Sequence, residues 1–341
     1  MHKVVCDKIN FDLLNMESNK RKILILGGLG FLGLNFARYL RNSAFPFSVF
    51  ALNLDPQLED KFSQLGINYI SGDVTDYESV ASAVAKHDWI INFSGRSGAL
   101  NGLRDPYADI NVNLVGVLNT LEAVRKVNTS AKIVFAGSRL EYGKIEDMPV
   151  SETHPSSPTS LYGIQKLLAE KYHSQYALEY NISALTLRFT NPFGPHLAKN
   201  FAGYNVLNYF MDLAQANQEI QIFGDGLQKR DYIYTDDLGS SIIAAFEHGK
   251  GGEVYNIGSG TGIPLIEAAE KIVEISKSGK IKQIPWPADY QAVEMGDYIA
   301  DITKAKTSLK WAPKVTFEDG VKRTLDFQHS NPSDLWSFFE K

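Results

Sequence analysis

KILILGGLGFLG, residues 22–33, decides how this chain is read. Lys22 to Leu26 is a short apolar run of strand length, and the glycines Gly27, Gly28, Gly30 and Gly33 follow it at once. The residues after them continue as a helical pattern that is expected to begin near Leu34. Glycines at such a strand-to-helix turn let the backbone bend tightly and approach a pyrophosphate, whose charge is favoured at a helix N-terminus. Two registers fit: G-x-G-x-x-G from Gly28, or G-x-x-G-x-x-G from Gly27. Gly27, Gly30, Phe31, Leu32 and Gly33 are therefore candidate cofactor contacts. The bland alternative is a bare structural turn.

Outward from this motif the same texture repeats. SVFALN (48–53), INYIS (67–71), WIINF (89–93) and KIVFA (132–136) are further strand-like runs. Helical patterns fall between them at 35–41, 76–86 and 107–127, with Thr75 or Asp76 as a cap for the second. A helix at 161–180 and a strand at 182–188 extend the series. Strand–helix alternation with continuously apolar strands implies an α/β fold: a doubly wound parallel sheet, Rossmann in type, covered on both faces. From Asn191 proline and glycine cluster in NPFGPH (191–196), GDG (224–226), GSGTG (258–262) and IPWP (284–287). The expected organisation is an N-terminal tail at 1–20, a dinucleotide-binding domain at 21–190, and a smaller, loop-rich substrate-binding region at 191–341 interleaved with it. Met16 begins a second plausible start, so the first fifteen residues read as upstream sequence or as an ordered arm.

Composition narrows the function classes. The chain has 341 residues, 44% hydrophobic and 21% charged, enough to bury a core without disulfides or a structural metal. Its 34 basic and 39 acidic residues give a net charge of −5, against a dedicated nucleic-acid binder. The single cysteine, Cys6, fits a reducing, cytoplasmic compartment. No apolar run reaches the ~20 residues of a membrane span. The seven histidines show no metal-ligand spacing, so no metal is expected.

At the end of the second strand, a side-chain acceptor bonds an adenosine 2′-hydroxyl, whereas an arginine would take a 2′-phosphate. Here stand Asn53 and Asp55 with no intervening Arg or Lys, which favours NAD. The two residues otherwise simply open the next turn. Asp73 and Val74 close the third strand, where Asp73 reaches the adenine or caps a helix. Ser138 ends the fifth strand at the ligand-binding edge of the sheet, and Tyr162 and Lys166 lie one helical turn apart. A Tyr-x-x-x-Lys pair is common by chance; its place after that strand gives it meaning.

These segments resemble the extended short-chain dehydrogenase/reductase family, in particular its NAD-dependent nucleotide-sugar epimerases and dehydratases. The likeness runs from Lys22 to about Phe327 and is carried by GGLGFLG (27–33), GDVTD (72–76), NVNLVGVLNTLEA (111–123), GSRLEYG (137–143), YGIQK (162–166), RFTNPFGP (188–195), IFGDGLQKRDYIYTDDL (222–238) and YNIGSG (255–260). The resemblance implies Ser138, Tyr162 and Lys166 as the catalytic set, with Tyr162 as the base for a sugar hydroxyl and Lys166 also gripping the nicotinamide ribose. A tyrosine of ordinary pKa ~10 needs roughly 4 kcal/mol of help to act as a base near neutrality, part of it from Lys166. Asn113 looks like the helix-kink asparagine that supports the lysine. Asn191 and Arg230 match residues that hold the nucleotide and diphosphate, although Arg230 can also pair with Asp231, Asp236 or Asp237. Arg96 and Ser97 face the cofactor or sugar, and Ser94 the cofactor.

Two departures bear on function. Where relatives often carry His-Leu-Ala-Ala after the fourth strand, this chain has Asn92-Phe93-Ser94-Gly95. Where dehydratases carry an acidic pair after the catalytic Ser/Thr, it has Arg139-Leu140. Leucine cannot transfer a proton, and Glu141 would point to the opposite face of an extended segment. The expected activity is an NAD-dependent epimerase of a nucleotide-linked sugar, at C4, through a transient keto-sugar. A nucleotide-ketosugar reductase is the alternative, ahead of a 4,6-dehydratase or a non-catalytic NAD(P)-sensing protein. Expected partners are a nucleotide-diphosphate sugar and a second copy of the chain, since the resemblance pairs helices 107–127 and 161–180 into an intersubunit bundle.

Overall fold

β1 (Ile23–Leu26) is buried at every residue, and its alternating side chains serve two different cores. Ile23 and Ile25 join one apolar cluster, Leu24 and Leu26 another on the opposite face. Around it the computed structural model describes residues 21–52, 57–96, 105–195, 205–287, 294, 296–329 and 338–339. The chain runs through α1 (Phe31–Arg41), β2 (Phe47–Ala51), α2 (Leu58–Gln64), β3 (Asn68–Ser71), α3 (Tyr77–Val84) and β4 (Trp89–Asn92). It continues through α4 (Pro106–Ile110), α5 (Gly116–Val127), β5 (Lys132–Ser138), α6 (Leu161–Tyr180) and β6 (Ser183–Phe189).

The remainder holds β7 (Asn191–Phe193), α7 (Val206–Gln215), β8 (Glu219–Phe223), β9 (Lys229–Tyr234), α8 (Thr235–His248) and β10 (Val254–Ile257). It ends in β11 (Gly262–Pro264), α9 (Leu265–Ser276), β12 (Lys280–Ile284), α10 (Thr303–Ser308) and α11 (Phe317–His329).

Seven parallel strands form the large sheet in the order β10-β6-β5-β4-β1-β2-β3. The order reverses at β1, which has β2 on one side and β4 on the other; ligands bind at the C-terminal ends of strands at such a switch point. β10, from late in the chain, returns to the edge of this sheet beside β6. A second layer is smaller: β7, β9 and β11 form one sheet, β8 and β12 a pair, and Phe193, Phe210, Met211, Tyr234 and Ile272 share its core. The doubly wound fold read from the sequence is the fold observed.

Two local readings need correction, and the structure decides between the two caps read for α3. α1 begins at Phe31, not near Leu34, so Phe31, Leu32 and Gly33 belong to the first helical turn. Gly30 is its N-cap and offers no side-chain bond, which removed the usual sequence signal. Helix 107–127 is not continuous, because a π-helical stretch at Asn111–Val115 separates α4 from α5. The cap of α3 is Asp76, whose carboxylate accepts from the Glu78 N–H at 3.2 Å. Residues 1–20, and with them the expected tail, lie outside the described residues.

Candidate active site

The glycine turn forms a cradle by close approach. Gly27 has φ +72, and a Cβ there would lie 2.7 Å from the Ser94 backbone nitrogen. A Cβ on Gly33 would meet the Gly27 carbonyl at 2.6 Å, so α1 presses its first turn directly onto the β1 turn. The N-terminus of α1 thus lies at the C-terminal end of β1, and the N-terminus of a helix is where a pyrophosphate is favoured. Ser94 follows β4 there; its N–H donates to Asn92 Oδ1 at 2.9 Å, while its buried Oγ has no partner among the described residues. The buried, unpaired hydroxyl and the open cradle fit a dinucleotide at this edge. Asp73 spends one carboxylate oxygen on the Thr75 N–H at 2.8 Å, and Val74 is buried against Gly116. Asn53, Asp55 and Ser97 lie outside the described residues.

Ser138 ends β5 and opens a 3₁₀ turn, Arg139–Glu141. Its Oγ accepts from the Leu140 N–H at 3.2 Å, and its own N–H donates to Glu141 Oε1 at 2.6 Å. α6 is docked to this turn through Gly163, where a Cβ would stand 2.5 Å from the Leu140 carbonyl. The Ser160 hydroxyl caps α6 by accepting from the Gly163 N–H at 3.1 Å. One turn later Lys166 is buried and donates to the Ala136 carbonyl of β5 at 2.7 Å. These contacts bring Ser138, Tyr162 and Lys166 to one place. The ammonium lies 4.5 Å from the Phe135 ring centroid and 5.8 Å from that of Tyr162.

The electrostatics differ from expectation. Burial pushes the Tyr162 phenol up, and Asp109 pushes it further. Burial brings Lys166 down to about 8. Lys166 is not among the groups that lower the Tyr162 phenol.

Asn113 lies in the π-helical stretch and explains it. Its Oδ1 accepts from the Arg96 N–H at 2.8 Å, and its Nδ2 donates to the Arg96 carbonyl at 3.2 Å and to Gln165 Oε1 at 2.5 Å. It thus ties the loop after β4 to Gln165, the residue preceding Lys166. The Arg96 side chain turns to Asp109, with Nε–Oδ1 at 2.8 Å.

Behind Ser138 sits a cluster the sequence reading missed. Glu141, Glu170 and Arg188 are all buried. Arg188 donates to Glu170 through two nitrogens, each at 2.7 Å, and to Glu141 at 3.2 Å. Burial and the neighbouring Glu170 drive the Glu141 carboxyl well above the usual range, so it keeps its proton. Glu170 is pulled down: burial opposes ionisation, but the hydrogen bonds from Arg188 and Glu141 outweigh it. The segment is a tight turn rather than a strand, and Glu141 faces inward beneath Ser138.

On the other side of the turn Arg139 donates through Nε to Asn191 Oδ1 at 3.0 Å, and Asn191 Nδ2 donates to the Asp231 carbonyl at 2.8 Å. Arg230 pairs with none of the aspartates read as alternatives: it donates to Glu294, to the Lys229 carbonyl at 3.1 Å and to the Gly296 carbonyl at 2.5 Å. Among the described residues no group of three or more His, Cys, Asp or Glu side chains is placed to hold a metal ion, and no helix is long and apolar enough to cross a membrane.

Comparison with known proteins gives a consistent picture. The family described as GDP-mannose 4,6 dehydratase matches residues 24–324. The UDP-glucose 4-epimerase of Bacillus subtilis (strain 168) is 28% identical, over 91% of this chain and 97% of its own. Chains described as dTDP-glucose 4,6-dehydratases are also relatives, that of Streptomyces niveus at 26% identity over 91% of this chain and 93% of its own. Among solved structures, UDP-glucose 4-epimerase of Thermotoga maritima, with UDP-glucose, superposes with a TM-score of 0.80 at 29% identity, over 90% of this chain and 98% of the other. That of Thermus thermophilus, a complex with NAD, gives 0.78 at 25%, over 89% and 98%. With its switch-point cradle and its Ser138, Tyr162 and Lys166 set in one fold, the chain belongs to the GDP-mannose 4,6 dehydratase family, among the nucleotide-sugar epimerases and dehydratases of the extended short-chain dehydrogenase/reductase group.

Proposed function

We propose that the protein is an NAD-dependent epimerase of a nucleotide-linked sugar, acting at C4. The observation that carries this reading is the turn after Ser138. It has Leu140 where an eliminating enzyme of this family has its glutamate, and its only carboxylate, Glu141, is bonded to Ser138, Glu170 and Arg188. The cradle of Gly27, Gly30 and Gly33 and the unpaired Ser94 hydroxyl hold the dinucleotide, with NAD preferred through Asn53 or Asp55. The bound NAD supplies the site with a hydride acceptor that gives the hydride back.

Tyr162 takes the proton from the sugar hydroxyl, and Ser138 bonds the same oxygen. Lys166, fixed by the Ala136 carbonyl, keeps a positive charge beside the phenol and grips the ribose. The positive nicotinamide adds the charge that brings Tyr162 within reach of ionisation. Returning the proton from Tyr162 to the other epimer needs no further acid or base.

The active form in this reading is a homodimer. Along α6, Leu161, Ile164, Leu168 and Tyr172 form an apolar stripe 37–48% exposed, and Tyr107 of α4 is 84% exposed. Incubation with UDP-, dTDP- and GDP-hexoses, followed by proton NMR, tests the activity. The expected product has one inverted hydroxyl and no net NADH. A 4-keto-6-deoxy sugar with solvent deuterium at C5 would replace this reading with a dehydratase, and consumption of NADH with a ketosugar, without epimerisation, would replace it with a reductase.

A further inference from the structure

We propose that Arg139 binds an oxyanion of the substrate beside the reacting carbon, and so sets which nucleotide sugar is accepted. This deepens the reading above and rests on it. Arg139 directly follows Ser138 and is only partly open to solvent. Its Nη1 is sealed from water and has no partner among the described residues. The rest of its fork is held in place: Nε bonds Asn191, and the guanidinium stands 5.7 Å from the Tyr298 ring centroid. The hydroxyls of Tyr298 and Tyr232, both near this guanidinium, are also buried without a partner. Among the described residues no carboxylate bonds Arg139, since the nearby Glu294 bonds Arg230, and three closed-off donors make a site that lacks its acceptor.

Arg230 shows the contrast. It borders Arg139 closely enough to depress it, yet its own nitrogens are engaged with Glu294 and two backbone carbonyls. Burial and the charge of Arg230 together push Arg139 down to about 10, so it remains a cation at neutral pH and gains from any anion delivered to it. A guanidinium matches carboxylate and phosphate oxygens with a two-pronged bond. A nucleotide sugar held with its hydroxyl at Ser138 and Tyr162 brings two such groups into range. One is the sugar-proximal phosphate and the other a carboxylate carried on the sugar ring.

Calorimetric titration of the purified full chain with UDP-, dTDP- and GDP-glucose first identifies the nucleotide. Titration with the matching diphosphate, hexose and hexuronate forms then follows for the wild type, Arg139→Gln and Arg139→Lys. If the phosphate is the ligand, Arg139→Gln weakens all three by about ten- to a hundredfold, the range for losing a charge-assisted hydrogen bond. If the ring carboxylate is the ligand, the wild type prefers the hexuronate at least tenfold, and Arg139→Gln erases that preference while leaving the hexose unchanged. Unaltered affinities for all three in Arg139→Gln, with its melting temperature and NAD binding intact, overturn the assignment and leave the nucleotide-sugar reading standing. Should that variant not fold, Arg139→Lys decides: it keeps the charge but loses the fork, and full affinity for every ligand rejects the proposal. A wild type that binds no nucleotide sugar removes both readings together.

Discussion

Arg188 and Arg139 lie on opposite sides of the same turn, and they differ in what neutralises them. Arg188 is buried with two carboxyl groups and bonds Glu170 through two nitrogens. Each stands over a tyrosine ring and keeps one sealed Nη1, but Arg139 bonds only an amide oxygen and, among the described residues, no carboxylate. A buried charge whose partners come from its own chain is part of the scaffold, since removing either partner leaves the other stranded. A guanidinium denied such a partner is costly to the folded state and gains from a ligand. The turn Ser138–Glu141 thus divides an inner face that holds the fold from an outer face on which we propose the substrate binds.

The largest expected effect belongs to the outer face. Tyr162→Phe is expected to lose about 10²–10⁴ of the turnover, the usual worth of a positioned acid–base group, with an unchanged melting temperature. Equal turnover would remove Tyr162 from the chemistry. On the inner face the consequences are reversed. Glu170→Ala strands Arg188 and is expected to cost about 3–5 kcal/mol of stability, read by urea unfolding. Arg139→Met, at the outer face, is expected to cost nothing or to stabilise, because it breaks no ion pair. If both substitutions destabilise equally, the contrast between the two arginines is wrong.

The inner and outer faces were unequally legible in the sequence. β1 and its glycines are contiguous, and the pattern that makes them a strand and a cradle is local. The candidate set of Ser138, Tyr162 and Lys166 was also readable, because Tyr162 and Lys166 share one helix and Ser138 ends a strand. Arg188 meets Glu170 across 18 residues and Glu141 across 47, and no periodicity links them. The π-helical stretch was hidden for the same reason: it follows from what Asn113 binds, the Arg96 backbone and Gln165, rather than from helix propensity. The residue types after Ser138 showed a departure from dehydratases, but only the packing shows that Glu141 is withdrawn and Arg139 left unpaired.

A surface prediction sharpens the reading of α6, whose buried side carries Lys166 and Glu170 and whose open side carries the apolar stripe. Leu168→Glu puts a charge into that stripe and is expected to shift a homodimer toward monomer by light scattering at micromolar concentration, with circular dichroism unchanged. A wild type that is already monomeric removes the stripe from any self-association. The buried side has a pH signature. Lys166 titrates at about 8 in the folded protein and at ~10.4 when unfolded, so the unfolded state binds more protons between these values. The cost of burying its charge is therefore present below about pH 8 and is relieved as pH rises toward 10. Stability contributed by this group climbs across that window, and Lys166→Met is expected to flatten the climb.

A smaller effect than that of Glu170→Ala is expected where the inner face touches the outer one, at Glu141. Its carboxyl keeps its proton, so it adds no second negative charge to the Arg188–Glu170 pair. Glu141→Val leaves that pair bonded but shortens the buried side chain and removes its bonds to Arg188 and Glu170, so it is expected to cost about 1–3 kcal/mol, below the cost of Glu170→Ala. One bond is lost at the active face: the Ser138 N–H gives up the acceptor it holds at 2.6 Å. A buried donor left unpaired costs about 1–3 kcal/mol where nothing relaxes, and here the turn also keeps the Leu140 N–H on Ser138 Oγ. Ser138 is then held less firmly, and turnover is expected to fall a few-fold. This variant also separates two chemistries. An enzyme that used Glu141 to remove a carbon-bound proton would lose nearly all activity in Glu141→Val, by the same 10²–10⁴ expected of Tyr162→Phe. A few-fold loss leaves Glu141 a support for Ser138, and the proton traffic to Tyr162 alone.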